Sequence, residues 1–190
     1  MQTFRKTALF LALGVVVAGA MAGEIRDSAV SASGVVNSSV GLASSALQNI
    51  GVAEGNGKIR NSAVIVNGAS NTSIGLASSA RQNIGHVSGN GQINRSTVMV
   101  TGASNTSVGL ASTARQDIGF ARDNGRVQDS FVSVAGAVNT AAGLASTARQ
   151  EIGGASGNGE LRNSFVLANG AFNSAGGLAS TATQRIGVAR

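Results

Sequence analysis

The chain has 190 residues, a formal charge of +6, no cysteine, proline, tryptophan or tyrosine, and only 12% charged and 3% aromatic residues. Disulfides and thiolate metal sites are excluded by the missing cysteine, and a core built on large aromatic side chains is excluded as well. Any interior must be lined by Ala, Ser, Val, Gly and Asn, so it is thin.

Residues 1–22 read as an export signal. Arg5 and Lys6 supply the positive start, Ala8 through Ala18 the apolar stretch, and Ala20-Met21-Ala22 a small-x-small cleavage pattern that leaves Gly23 first. The apolar run from Thr7 to Ala22 is shorter than the ~20 residues a spanning helix needs. The expectation is a cleaved signal peptide and a secreted, extracellular or cell-surface chain with no transmembrane segment once mature. Removing Arg5 and Lys6 leaves 12 basic and 8 acidic side chains, a net charge of +4. The arginines are dispersed and no aromatics suited to base stacking accompany them, so no nucleic-acid partner is expected.

From 23 to 190 the chain is one array of repeats. Gly-Leu-Ala recurs at Gly41, Gly75, Gly109, Gly143 and Gly177, always 34 residues apart, and Ile-Gly recurs in the same register from Ile50 to Ile186. Five tandem copies span about 25–58, 59–92, 93–126, 127–160 and 161–190, with no linker between them.

Within a copy the first element reads as a strand, because Ser62, Val64 and Val66 alternate. A turn falls next, at the column of Gly34, Gly68, Gly102, Gly136 and Gly170. The Gly-Leu-Ala element fits both periods. Leu76, Ala80 and Ile84 share one helical face, while Ile74, Leu76, Ser78, Ala80, Gln82 and Ile84 alternate. Glycine density weighs against a helix, at about 1 kcal/mol per interior glycine. A 34-residue helical repeat would also carry aromatic knobs and a proline that are absent here. Asn-Gly turns close each copy at Gly57, Gly91, Gly125 and Gly159. The predicted fold is all-β: a β-solenoid of five stacked 34-residue strand-turn-strand repeats, two or three strands to the rung.

Columns that keep one polar residue in every copy are the candidate site. They are Asn37, Asn71, Asn105, Asn139 and Asn173; Gln48, Gln82, Gln116, Gln150 and Gln184; and Ser28, Ser62, Ser96, Ser130 and Ser164. In-register stacking at ~4.8 Å lets each amide donate to the copy below. A buried amide without partners would cost ~1–3 kcal/mol, which demands the same residue in every copy. Serine columns could form similar chains, and small columns such as Ala43, Ala77, Ala111, Ala145 and Ala179 would let the walls approach. Arg81, Arg115 and Arg149 share a column that must face solvent, and it breaks to Leu47 and Thr183 in the end copies.

No catalytic, cofactor-binding or metal-ligating constellation is legible, and no enzyme is expected. His86 stands alone in a column that otherwise varies, and no pair of acidic residues recurs between copies. The Gly-Asn-Gly connectors lack the aspartate of calcium-binding solenoids. Polar end caps, which keep repeat arrays monomeric, are not visible, so bare strand edges are expected to join head to tail in an open filament of identical chains. The alternative is a monomeric β-solenoid that binds ice or another surface through Ser38, Thr72, Thr106, Thr140 and Ser174.

The repeats resemble bacterial functional-amyloid fibre subunits of the curlin and Fap type, in which tandem strand-turn-strand copies hold invariant Ser, Asn, Gln and Gly. Curlin repeats are shorter and follow S-x5-Q-x-G-x2-N-x-A-x3-Q. Here Gln82 precedes Ile84-Gly85 and the Asn column, Asn71, comes before it. Fap-type repeats are closer in length but are separated by linkers. The resemblance implies a self-assembling, biofilm-type matrix or cell-adhesion fibre from a Gram-negative source. It also implies a nucleator subunit and an outer-membrane secretion channel as further partners.

Overall fold

A computed structural model describes residues 23–187 and 189; the expected signal at 1–22 lies outside the described residues. The first coil consists of β1 (Glu24–Arg26), β2 (Ala29–Val40) and β3 (Ala43–Ile50). The same three strands recur as β4 (Lys58–Arg60), β5 (Ala63–Ile74) and β6 (Ala77–Ile84), and as β7 (Gln92–Asn94), β8 (Thr97–Val108) and β9 (Ala111–Ile118). The fourth coil holds β10 (Arg126–Gln128), β11 (Phe131–Ala142) and β12 (Ala145–Ile152). In the fifth, the long strand is split: β13 (Glu160–Arg162), β14 (Phe165–Asn169), β15 (Phe172–Gly176) and β16 (Ala179–Ile186).

Equivalent strands stack in parallel into three sheets, A, B and C, that wall the coil. Every pairing sets a residue beside its counterpart in the next copy, as Val64 beside Val98 and Gln82 beside Gln116. The chain is therefore an all-β solenoid of five coils. The Gly-Leu-Ala element is not helical: Gly75-Leu76 is the corner between sheets B and C, and a strand begins at Ala77.

Two sequence-level turn assignments need correction. The Gly34 column is a bend inside one long strand, with backbone in the left-handed region (φ +61° to +72°), and it separates two strands only in the last coil. The Asn-Gly pairs do not make hairpins, which would need left-handed backbone at both residues. Left-handed φ falls instead on Gly55, Gly89, Asp123 and Gly157. Gly57, Gly91 and Gly125 accommodate close backbone approach: a Cβ on Gly91 would sit 2.9 Å from the Arg122 carbonyl oxygen of the next coil. The reason is topological. A solenoid connector continues the winding and never reverses the chain.

The interior has an apolar region and a polar one. Val64, Val66, Ala69 and Ile84 with their counterparts fill the space among the sheets, and Ile59, Val87, Ile93 and Val127 fill the part under sheet A. Towards the B–C corner the lining becomes Asn71, Ser73, Ser78, Ala80 and Gln82, all buried. The small residues that let the walls converge are the Ala46, Ala80, Ala114 and Ala148 column, not the Ala43 column, which is exposed. Strand parity decides this: sheet C turns Ser44, Ala46, Gln48 and Ile50 inward, so Ala43 faces out. Leu76 also lies outside, 54% exposed, because the corner breaks the alternation that would have buried it.

Candidate functional site, the amide ladders and the coil edges

The Asn and Gln columns stand on facing sheets and both point inward. Asn71 Nδ2 donates to Asn105 Oδ1 at 2.8 Å, and its other hydrogen lies between the carbonyls of Arg81 at 3.0 Å and Ala46 at 3.1 Å. The same chain of bonds runs from Asn37 through Asn139 to Asn173. Opposite it, Gln82 Nε2 donates to Gln48 Oε1 at 2.6 Å, with Gln116, Gln150 and Gln184 continuing the series at 2.6–2.7 Å. Gln82 Nε2 also approaches the carbonyls of Ala69 and Ser104 in sheet B, both at 3.4 Å. These cross-sheet carbonyls fix which end of each amide is nitrogen, since a flipped amide would set oxygen against oxygen. The two ladders then have opposite sense: Asn donates to the following coil, Gln to the preceding one.

The serine columns behave differently from a hydroxyl chain. Ser62 Oγ donates to its own coil's Arg60 carbonyl at 2.6 Å and accepts the backbone N–H of Ser28 at 3.3 Å. Ser28, Ser96, Ser130 and Ser164 repeat the hydroxyl-to-carbonyl bond at the A–B corner, just after a residue with left-handed φ. A hydroxyl contact between coils does occur at other serines, as Ser44 with Ser73 and Ser78 with Ser107, each 2.8 Å. A third amide ladder was missed as such. Asn56, Asn90, Asn124 and Asn158, read only as turn residues, link through their side chains at 2.9–3.2 Å. The signal was present, since this asparagine recurs in all four connectors.

Sequence reasoning also missed a buried charged cluster. Asp117 and Glu151 are neighbours in register on sheet C and each is 1% exposed. Arg122, from the connector, bridges them at 2.9 and 2.7 Å; Arg115 reaches Asp117 at 3.0 Å, and Arg149 and Arg185 reach Glu151 at 2.6 and 3.0 Å. In the arginine column, therefore, Arg115 and Arg149 pair with acids two residues along the same strand, while Arg81 is exposed. Phe120 lies under the Arg122 guanidinium, 5.1 Å from it. His86, in the same column as Phe120, is buried with Nδ1 unpartnered, and burial together with Arg115 and Arg81 lowers its pKa to about 4. Burial pushes the Asp117 carboxyl the other way, up to about 6, against the pull of Arg115.

The last coil differs from the inner ones in the exposure of its inward-facing side chains. Ser146, Ala148, Gln150 and Ile152 are buried in coil four, while Ser180, Ala182, Gln184 and Ile186 occupy the same inward positions in coil five and are all exposed. Leu178 is 91% and Phe172 66% exposed on that edge. Among the described residues no strand pairs with the outer side of β1, β2 and β3 or of β13 to β16. Comparison with protein-family models, with curated proteins and with solved structures finds no significant match.

Proposed function

We propose that this chain is a secreted structural subunit that assembles head to tail into extracellular amyloid-like fibres, as expected for a matrix or cell-surface component. The observation that carries this reading is the coil-five edge, where side chains built for the interior stand in water. Three parallel sheet edges with unpaired backbone groups template another strand layer. Side chains repeated in register on those edges let an added layer continue the Asn and Gln columns. Because the two edges of the solenoid differ, joining one to the other leaves a new edge, and growth continues as an open filament.

A monomeric solenoid that binds ice or another surface is the rival reading, and it draws on the outward column of Thr72, Thr106 and Thr140. That column has apolar and variable neighbours rather than a second threonine row: Val36 and Phe172 flank it at opposite ends. The test is electron microscopy with fibre diffraction on the mature chain after overnight incubation. Filaments with a reflection at about 4.7–4.8 Å along the fibre axis are expected. A protein that stays monomeric and shows thermal hysteresis would overturn the fibre in favour of the rival.

A further inference from the structure

The opposed sense of the two buried ladders bears on how one molecule would meet the next. We infer that successive copies join with a single polarity, coil five of one against coil one of the next, with Asn173 donating to Asn37 and Gln48 donating to Gln184 across the seam. This rests on the filament reading above and specifies its contact.

Each Asn donates to the coil that follows it, so the series ends with Asn173, which among the described residues donates only to the Ala148 carbonyl at 3.1 Å. At the other extremity, Asn37 donates to Asn71, and its Oδ1 has no donor among the described residues. The Gln series leaves the reverse pair. Among the described residues Gln184 donates to Gln150 at 2.7 Å while its Oε1 accepts nothing, and Gln48 Oε1 accepts from Gln82 while Gln48 Nε2 reaches only the carbonyls of Val35 at 3.4 Å and Ser70 at 3.2 Å and no second amide. The coil-five edge thus offers an Asn donor and a Gln acceptor, and the coil-one edge an Asn acceptor and a Gln donor. They match when Asn lies on Asn and Gln on Gln, the register that every internal pair of coils already uses. Unmatched, each buried amide would forgo a bond that its counterparts in the inner coils make.

Two copies of the same edge cannot do this. Turning a coil over reverses the order in which it presents sheets A, B and C, so at most one sheet could superpose, and with its strands antiparallel. Charge agrees with the polar seam on sheet C: the arginine column is interrupted at Leu47 and Thr183, so no arginine meets its like there. Apolar positions also coincide, Leu178 with Leu42 and Val166 with Val30. Sheet A is the exception. It would bring the half-buried Glu160 to Glu24 and the exposed Arg162 to Arg26, like charges whose repulsion salt screens.

Ser45 and Thr181 occupy one outward, exposed column of sheet C, in the first and last coils. Within a chain they lie four coils apart, about 19 Å at ~4.8 Å per coil. Across the proposed seam they are adjacent, inside the ~4.4–6.8 Å Cα separation that a disulfide spans. The chain has no cysteine of its own. The double variant S45C/T181C, assembled under reducing conditions and then oxidised, should give a ladder of covalent oligomers on a non-reducing gel. Each single variant should run as a monomer on the same gel, as should S45C/T147C, whose thiols would be a coil further apart. Added salt should shorten the lag before growth. Filaments without the covalent ladder, or dimers from S45C or T181C alone, would overturn the polarity while leaving the filament standing. If the unsubstituted chain forms no filaments at all, the filament reading itself fails, and this inference with it.

Discussion

Asn105 sits at the middle of its ladder, fully buried, donating to Asn139 and accepting from Asn71. Replacing it by alanine strands both neighbours and removes the donor shared by the Ala80 and Arg115 carbonyls. With buried groups costing ~1–3 kcal/mol each when unpaired, N105A should lower stability by roughly 2–4 kcal/mol. Asn37 in the first coil is half-exposed and water can replace its partners, so N37A should cost about 1 kcal/mol or less. Urea midpoints of the two monomeric variants measure the difference; equal losses would mean that the ladder adds nothing in the interior. His86 allows a second residue-scale test. Its folded pKa of about 4 lies below its ordinary 6.5, so between those values the unfolded chain binds more protons and stability falls as pH drops. Asp117, raised from 3.8 to about 6, acts in the opposite sense, favouring the fold on acidification through that window. The variant H86V takes the residue that coil one holds at Val52 and removes only the histidine contribution. It should stabilise the fold at about pH 4.5 relative to pH 7.5 by on the order of 2–3 kcal/mol. An unchanged pH profile would rule out a buried neutral histidine.

At the scale of the element, the decisive junction is the exit from sheet C. Gly51, Gly85, Gly119 and Gly153 all have left-handed φ, and each lies against the valine of the following coil. A Cβ on Gly119 would stand 2.7 Å from Val132 Cγ1 and 2.8 Å from Cγ2, in a core with no slack. The variant G119A should therefore lose about 2 kcal/mol or more, from backbone strain and overpacking together. Thermal unfolding of the monomer followed by circular dichroism checks it; a loss below half that would show that the connector can shift. This junction was legible as Ile-Gly repeated in register. Its neighbour, the Asn-Gly pair, was misread because a two-residue turn signal is calibrated on hairpins, where the chain reverses. The connector here holds its left-handed residue one position earlier and stacks its asparagines instead.

For the molecule as a whole, each coil touches only its neighbours, so stability approximates a sum over coils and their interfaces. Deleting residues 59–92 joins Lys58 to Ile93 and keeps every column in register while sparing the Asp117–Glu151 cluster. That four-coil chain should keep a β spectrum and unfold at lower urea than the parent. Deleting half as many residues, 59–75, should abolish cooperative unfolding, because it would place sheet C positions over sheets A and B. Equal tolerance of the two deletions would argue against register as the organising feature. The same additive logic underlies the fibre: a further coil supplied by another molecule adds the same interface as one supplied by the chain itself.

The sequence by itself determined the repeat length, the strand character and the identity of the amide columns, because stacking at one spacing requires like residues in like places. It also placed the glycines, since a backbone that must bend or approach closely excludes a side chain wherever it does so. Only the tertiary structure decided which face of each strand is interior. Parity is set by the corners, and a corner that shifts it by one residue turned Leu76 and Ala43 outward and Ala80 inward. Only the fold could bring Glu151 to Asp117 and Arg122, because it lies in the next coil, 34 and 29 residues along the chain. The opposed sense of the Asn and Gln ladders is likewise tertiary: it depends on which carbonyls of the facing sheet each amide meets.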